Sequence, residues 1–125
     1  MELSKHKSKF KAVVLTADKF EDMEVFFPAF RILEEGWQID IAASTIDEIS
    51  GENGYDFNPG MTIDEVDPDD SQLLIIPGGF ADGAPATIRK NKKAQEITKS
   101  FFQMNKPAAS IIDGPWTLAS AGIYA

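Results

Sequence analysis

The stretch Pro107-Ala108-Ala109-Ser110-Ile111-Ile112-Asp113-Gly114-Pro115-Trp116-Thr117-Leu118-Ala119-Ser120-Ala121-Gly122-Ile123 decides the fold. Ala108 to Ile112 is a short, uncharged, apolar run of the kind that fills a parallel strand covered on both faces. Asp113-Gly114-Pro115 then predicts a sharp turn into a helix. Asp accepts a hydrogen bond from a free N–H of the first turn, and Gly permits a tight bend. Pro tolerates the first helical position because its missing N–H has no partner there in any case. The run therefore reads as strand, elbow and helix, an arrangement on which α/β enzymes often mount a nucleophile.

The neighbouring segments supply the rest of such a fold. Lys11 to Ala17 reads as a first buried strand. A helix follows from about Glu21, in which Met23, Phe26, Phe27, Phe30 and Leu33 share one face and are expected in the core. Pro28 inside it predicts a kink, and Gly36 a left-handed cap. Trp37 to Ala43 alternates and reads as a second strand, closing a β-α-β unit with a right-handed crossover. Gln72 to Ile76 is a further buried strand that leaves through Pro77-Gly78-Gly79. A helix from about Asn91 to Met104 turns Ala94, Ile97, Phe101 and Met104 inward and Lys92, Lys93 and Lys99 outward.

Between these units, Gly51-Glu52-Asn53-Gly54 predicts a hairpin turn joining short extended pieces at 46–50 and 55–57, outside the main sheet. From Asp47 to Asp70 there are nine acids and no lysine or arginine. Their spacing does not fit an EF-hand loop and is broken by Pro59 and Pro68, so the segment reads as a solvated acidic flap and no metal site is expected.

Composition bounds the function. At 125 residues the chain is read as one domain over 11–125, preceded by a basic, disordered leader over 1–10. That leader carries His6, the only histidine, where nothing would hold it within reach of a substrate, so histidine-based catalysis is not expected. The absence of cysteine excludes disulfides, thiolate metal ligands and a thiol nucleophile. The net charge of −8 argues against nucleic acid and anionic membrane as partners. No apolar run approaches the ~20 residues of a membrane span, and a cytoplasmic location without cofactors is expected.

Three motifs in order carry a resemblance. The elbow Ala109-Ser110-Ile111-Ile112-Asp113-Gly114-Pro115 resembles the nucleophile elbow of the ThiJ/PfpI superfamily, whose pattern is Ala-Ile-Cys-His-Gly-Pro. The superfamily includes intracellular peptidase/amidase-like proteins and parkinsonism-associated deglycases, and is related to class I glutamine amidotransferases. Ile76-Pro77-Gly78-Gly79 resembles its oxyanion loop, and Asp18 to Asp22 the start of its first helix. The resemblance implies an α/β fold, a three-layer flavodoxin-like sandwich with a mainly parallel sheet, C-terminally incomplete because such proteins normally continue past the elbow helix.

It also implies site residues. Glu21 stands where a family glutamate shares a proton with the cysteine. Ile112 stands in the place of that cysteine and Asp113 in the place of the following histidine. Backbone donors at Gly78, Gly79, Asp113 and Gly114 would hold an anion or carbonyl oxygen. A further family glutamate falls on Gly83 or Ala86, neither of which is an acid.

The expected function is thus a ThiJ/PfpI-type protein, catalytically silent at its elbow, binding a small carbonyl or anionic ligand and self-associating. A chain shortened or altered from an active thiol hydrolase is a related expectation. The alternative is a hydratase or hydrolase that uses Glu21 and Asp113 as a carboxylate pair. The β-branched Ile112 is expected to have relaxed the strained backbone that a nucleophile elbow requires.

Overall fold

The computed structural model describes residues 9–123. Its strands are β1 (Lys11–Leu15), β2 (Gln38–Ala43), β3 (Ile49–Ser50), β4 (Asp56–Phe57), β5 (Met61–Thr62), β6 (Leu73–Ile76) and β7 (Ala108–Ser110). Its helices are α1 (Asp22–Glu34), α2 (Ala84–Lys90), α3 (Lys92–Gln103) and α4 (Pro115–Ser120). The main sheet has the order β5-β2-β1-β6-β7 with every neighbouring pair parallel. β3 and β4 form a separate antiparallel hairpin with Ile49 opposite Phe57.

The centre of the sheet follows from composition. Ala12, Val13, Val14 and Leu15 of β1 are all buried, as are Leu74, Ile75 and Ile76 of β6, because these strands are covered on both faces. The chain leaves β1 towards β2 and leaves β6 in the opposite direction towards β7. Right-handed crossovers then place α1 and α3 on opposite faces, giving three layers. The order reverses between β1 and β6, and the loops beyond the C-terminal ends of such strands are where open α/β sheets hold their ligands. Here those loops begin at Thr16 and at Pro77.

Several local expectations are corrected. On α1 the buried residues are Asp22, Val25, Phe26 and Ala29, whereas Met23, Phe27 and Phe30 are exposed and Leu33 half-buried. The helix carries two apolar faces, and the one with the smaller side chains packs on the sheet. Pro28 lies inside this helix. β7 is a half-buried edge strand ending at Ser110, not a strand covered on both faces. Met104 lies beyond the end of α3 and is exposed. Gly36 does adopt a left-handed conformation, φ +82°.

His6 and most of the 1–10 leader lie outside the described residues. Phe10, at its end, stacks on Trp37 with ring centres 5.2 Å apart.

Two lysines tie the acidic segment to the domain. Lys11 Nζ lies 2.9 Å from Asp70 and 3.1 Å from Asp40. Lys106 Nζ donates to the carbonyls of Pro68 (2.9 Å) and Ser71 (2.7 Å). Within that segment β5 joins the edge of the main sheet. Among the described residues no helix is long and apolar enough to cross a membrane.

Candidate functional site at the strand-to-helix elbow

Beyond β7 the Ile111 N–H donates to the Ile76 carbonyl (3.1 Å), and the Gly114 N–H donates back to the Ile111 carbonyl (2.8 Å). These bonds close a tight turn whose tip is Ile112, followed by Pro115 in the first turn of α4. Ile112 has φ +50° and is 75% exposed. The expected relaxation has therefore not occurred, and a β-branched residue occupies the left-handed region at a cost of about 1–2 kcal/mol. Gly114 shows what holds the turn. Its own φ of −55° is ordinary, but a Cβ there would sit 2.2 Å from the Ile76 carbonyl oxygen and 3.0 Å from Ile111 N. Backbone passes against backbone at this point, and only glycine leaves room.

A carboxylate at the glycine loop that the sequence motifs did not single out is Glu24. Glu24 Oε1 accepts the Gly78 N–H at 2.8 Å. A Cβ on Gly78 would lie 2.8 Å from that same oxygen and 3.4 Å from Asp113 N, so the carboxylate, the glycine loop and the first amide after Ile112 are gathered together. Burial raises the Glu24 pKa above its ordinary value. The Gly78 N–H opposes this, and the charges of Glu21, Glu52 and Asp113 add to the rise.

Glu21 is instead the N-cap of α1. Its Oε2 accepts Glu24 N–H (2.9 Å) and its Oε1 accepts Asn53 Nδ2 (3.0 Å). The sequence signal was available: an acid at the cap position serves the helix end, and the acid one turn later is free to face elsewhere.

Asp113 does not cap α4 with its side chain. The N-cap is Gly114, without a side-chain bond, and Asp113 contributes its carbonyl to Trp116 N–H (3.2 Å). Of the four expected anion donors, Gly78 N–H is engaged by Glu24 and Gly114 N–H by Ile111. The N–H groups of Gly79 and Asp113 make no bond to another described residue. Gly83 caps α2 and Ala86 lies within it, so the second acid position is apolar here. No group of three or more acidic or histidine side chains among the described residues is arranged to hold a metal ion.

Residues 10–125 match the DJ-1/PfpI family. The chain belongs to the DJ-1/PfpI family. It is 45% identical over 113 residues to "Deglycase TK1284" of Thermococcus kodakarensis, and 42% identical over 113 residues to "Deglycase PfpI" of Pyrococcus furiosus. Each match covers 90% of this chain and 66% of the relative, so the chain spans just under two thirds of their length. Schizosaccharomyces pombe DJ-1 superposes with a TM-score of 0.80 at 20% identity, over 92% of this chain and 64% of that one. This likeness establishes the shared mainly parallel α/β architecture.

One feature of this DJ-1/PfpI domain was not foreseen. Asp22, 8% exposed, accepts Asn53 N–H (3.0 Å) and Tyr55 N–H (2.9 Å), pinning the β3–β4 hairpin beside the elbow. The hairpin backbone adds Lys19 N–H to Ser50 O (2.8 Å) and Glu52 N–H to Phe20 O (2.8 Å). Asp22→Ala is expected to cost about 3 kcal/mol, since two amides lose a charged acceptor. Hydrogen exchange at Asn53 and Tyr55 reads this directly, and unchanged protection of both amides would contradict it.

A pH effect follows from Glu24. The folded protein binds the Glu24 proton more tightly than the unfolded chain, where the ordinary value is 4.5. Ionised Glu24 therefore lowers stability above its folded pKa, and the loss is relieved as pH falls towards 4.5. Glu24→Gln, which retains an acceptor for Gly78, is expected to melt higher than the natural chain at neutral pH. That gain should shrink across the window between the folded value and 4.5. A lower Tm at neutral pH would overturn this account.

Proposed function

We propose that this chain is a DJ-1/PfpI domain without thiol chemistry, a hydrolase or deglycase scaffold that is catalytically silent at its elbow and keeps a small carbonyl- or anion-binding corner. The observation that carries the reading is Ile112, held at φ +50° and 75% exposed in the place of the nucleophile, in a chain without cysteine. An alkyl side chain there can neither attack a carbonyl nor share a proton with Glu24. The N–H groups of Gly79 and Asp113 remain as donors for an oxygen of a bound ligand. Assay of the natural chain beside an Ile112→Cys, Asp113→His double variant on amide, peptide and α-oxoaldehyde substrates tests this, and turnover by the natural chain would sink it.

A second reading is favoured by the raised pKa of Glu24. A carboxyl protonated more readily than usual, close to Asp113 and Glu21, is a candidate general acid for hydration or hydrolysis, a role first assigned to Glu21 with Asp113. Turnover in the natural chain that is lost in Glu24→Gln would favour this second reading.

A further inference from the structure

Asn53-Gly54, at the tip of the β3–β4 hairpin, is the one place in the chain where an asparagine precedes a glycine; Asn58, Asn91 and Asn105 precede Pro59, Lys92 and Lys106. The pair suits a tight turn, and it also sets up an intramolecular reaction. A glycine nitrogen has no neighbouring Cβ to hinder it, so it can reach the amide carbon of the preceding side chain. Here the approach is open. Nothing lies within 4 Å of the Cβ position of Gly54, its φ is +93°, and Asn53 is exposed. Once the Gly54 nitrogen has given its proton to solvent, it bonds to Asn53 Cγ, the Cγ–Nδ2 bond breaks, and the amide nitrogen takes up a proton and leaves as ammonia. Water then opens the resulting cyclic imide at either carbonyl, leaving an aspartate or an isoaspartate at position 53. The net exchange is amide and water for acid and ammonia.

The folded hairpin holds both reacting groups. Gly54 N–H donates to the Gly51 carbonyl at 3.0 Å, and Asn53 Nδ2 donates to Glu21 Oε1 at 3.0 Å. Asn53 N–H is also fixed on Asp22 at 3.0 Å. Ring closure requires the side chain to turn away from Glu21 and the Gly54 nitrogen to leave Gly51. It therefore proceeds from an opened hairpin, and its rate follows how often the hairpin opens. The product no longer fits the same seat. Its carboxylate would face Glu21 where an amide donor had stood, and an isoaspartate also adds one methylene to the backbone between the Asn53 and Tyr55 amides that share Asp22. Negative charge is already crowded there: burial raises the Glu52 carboxyl above its ordinary value, and the charges of Glu21 and Asp22 add to the rise. Glu52 is in turn among the charges that raise Glu24, so release of the hairpin would be felt at the elbow.

We infer that Asn53 is a site of spontaneous deamidation, timed by hairpin opening, whose product unclasps the β3–β4 hairpin from α1. The natural chain and Asp22→Ala are aged in neutral buffer, the natural chain is aged in denaturant as the reference for a fully open hairpin, and peptide mapping by mass spectrometry reads each asparagine. In the folded chain conversion should be confined to position 53. It should be about tenfold or more faster in Asp22→Ala, where two amides lose their acceptor, and fastest in denaturant. Circular dichroism verifies folding. If Asp22→Ala loses its folded signal, Glu21→Ala, which removes the acceptor of Asn53 Nδ2 and leaves Asp22 in place, puts the same question. Exchange of the Tyr55 amide should be about three times faster or more in Asn53→Asp than in the natural chain. An Asn53 that stays intact while the denatured chain converts overturns the inference, as does an equal rate in the natural chain and Asp22→Ala. Unchanged Tyr55 exchange in both Asn53→Asp and the aged natural chain overturns the unclasping.

Discussion

The Ile112→Cys, Asp113→His double variant is expected to acquire turnover at least about a hundredfold above the natural chain, the low end of what a positioned acid–base pair contributes alongside a nucleophile. The physical case rests on what the elbow already supplies. Residue 112 is held outward at φ +50°, beside the N–H of Asp113 and within the group that includes Gly78 and the Glu24 carboxylate. A thiol placed there sits at the start of a helix with a proton partner at hand, conditions that govern thiolate formation. The chain has no other cysteine, so any activity removed by a thiol-alkylating reagent belongs to position 112. Gln at position 24 in the same background should reduce the gained rate, because the carboxylate would no longer exchange a proton with the thiol. Silence of the double variant, with its thiol shown to react with an alkylating probe, would mean that the elbow alone does not suffice for turnover.

Gly114→Ala is expected to have the largest effect on stability, about 3 kcal/mol or more, with a fall in Tm of roughly 10 °C or more. The Cβ would be forced to 2.2 Å from the Ile76 carbonyl oxygen, which also accepts the Ile111 N–H that joins the elbow to β6. Relief requires moving β6, β7 or the turn, and each is fixed by neighbouring strands. Gly36 provides the contrast: nothing lies within 4 Å of its Cβ position, and only its φ of +82° opposes a side chain. Alanine there should cost about 1 kcal/mol. Equal melting of the two variants would mean that the elbow opens freely, and the account of Gly114 would fail.

The sheet was legible in the sequence because β1 and β6 are uninterrupted aliphatic runs, and the elbow because Asp113-Gly114-Pro115 marks a helix start. What escaped has definite causes. α2 was hidden because Gly83-Ala84-Pro85 reads as loop, although Pro is at home in the first turn of a helix. The strand β5 is two residues long and lies in an acidic stretch whose composition says only that it is solvated. On α1, five large apolar residues suggested a core face, while the packed face uses Val25, Phe26 and Ala29 together with Asp22. A buried carboxylate satisfied by two hairpin amides cannot be read from helical periodicity, since its partners are some thirty residues away. Glu21 and Glu24 are one turn apart in the same acidic segment, and only the cap geometry separates their roles.

The elbow at Ile112 also makes the molecule addressable. Its shape is imposed by Gly114 against Ile76 and by two backbone bonds, none of which involves the side chain of residue 112. That side chain is therefore a free socket on a rigid mount, three-quarters open to solvent. In a chain with no cysteine, one introduced there would be the sole attachment point for a fluorophore or spin label. Such a reporter would sense what binds beside the Gly78-Gly79 loop while leaving the packing of the sheet beneath it untouched.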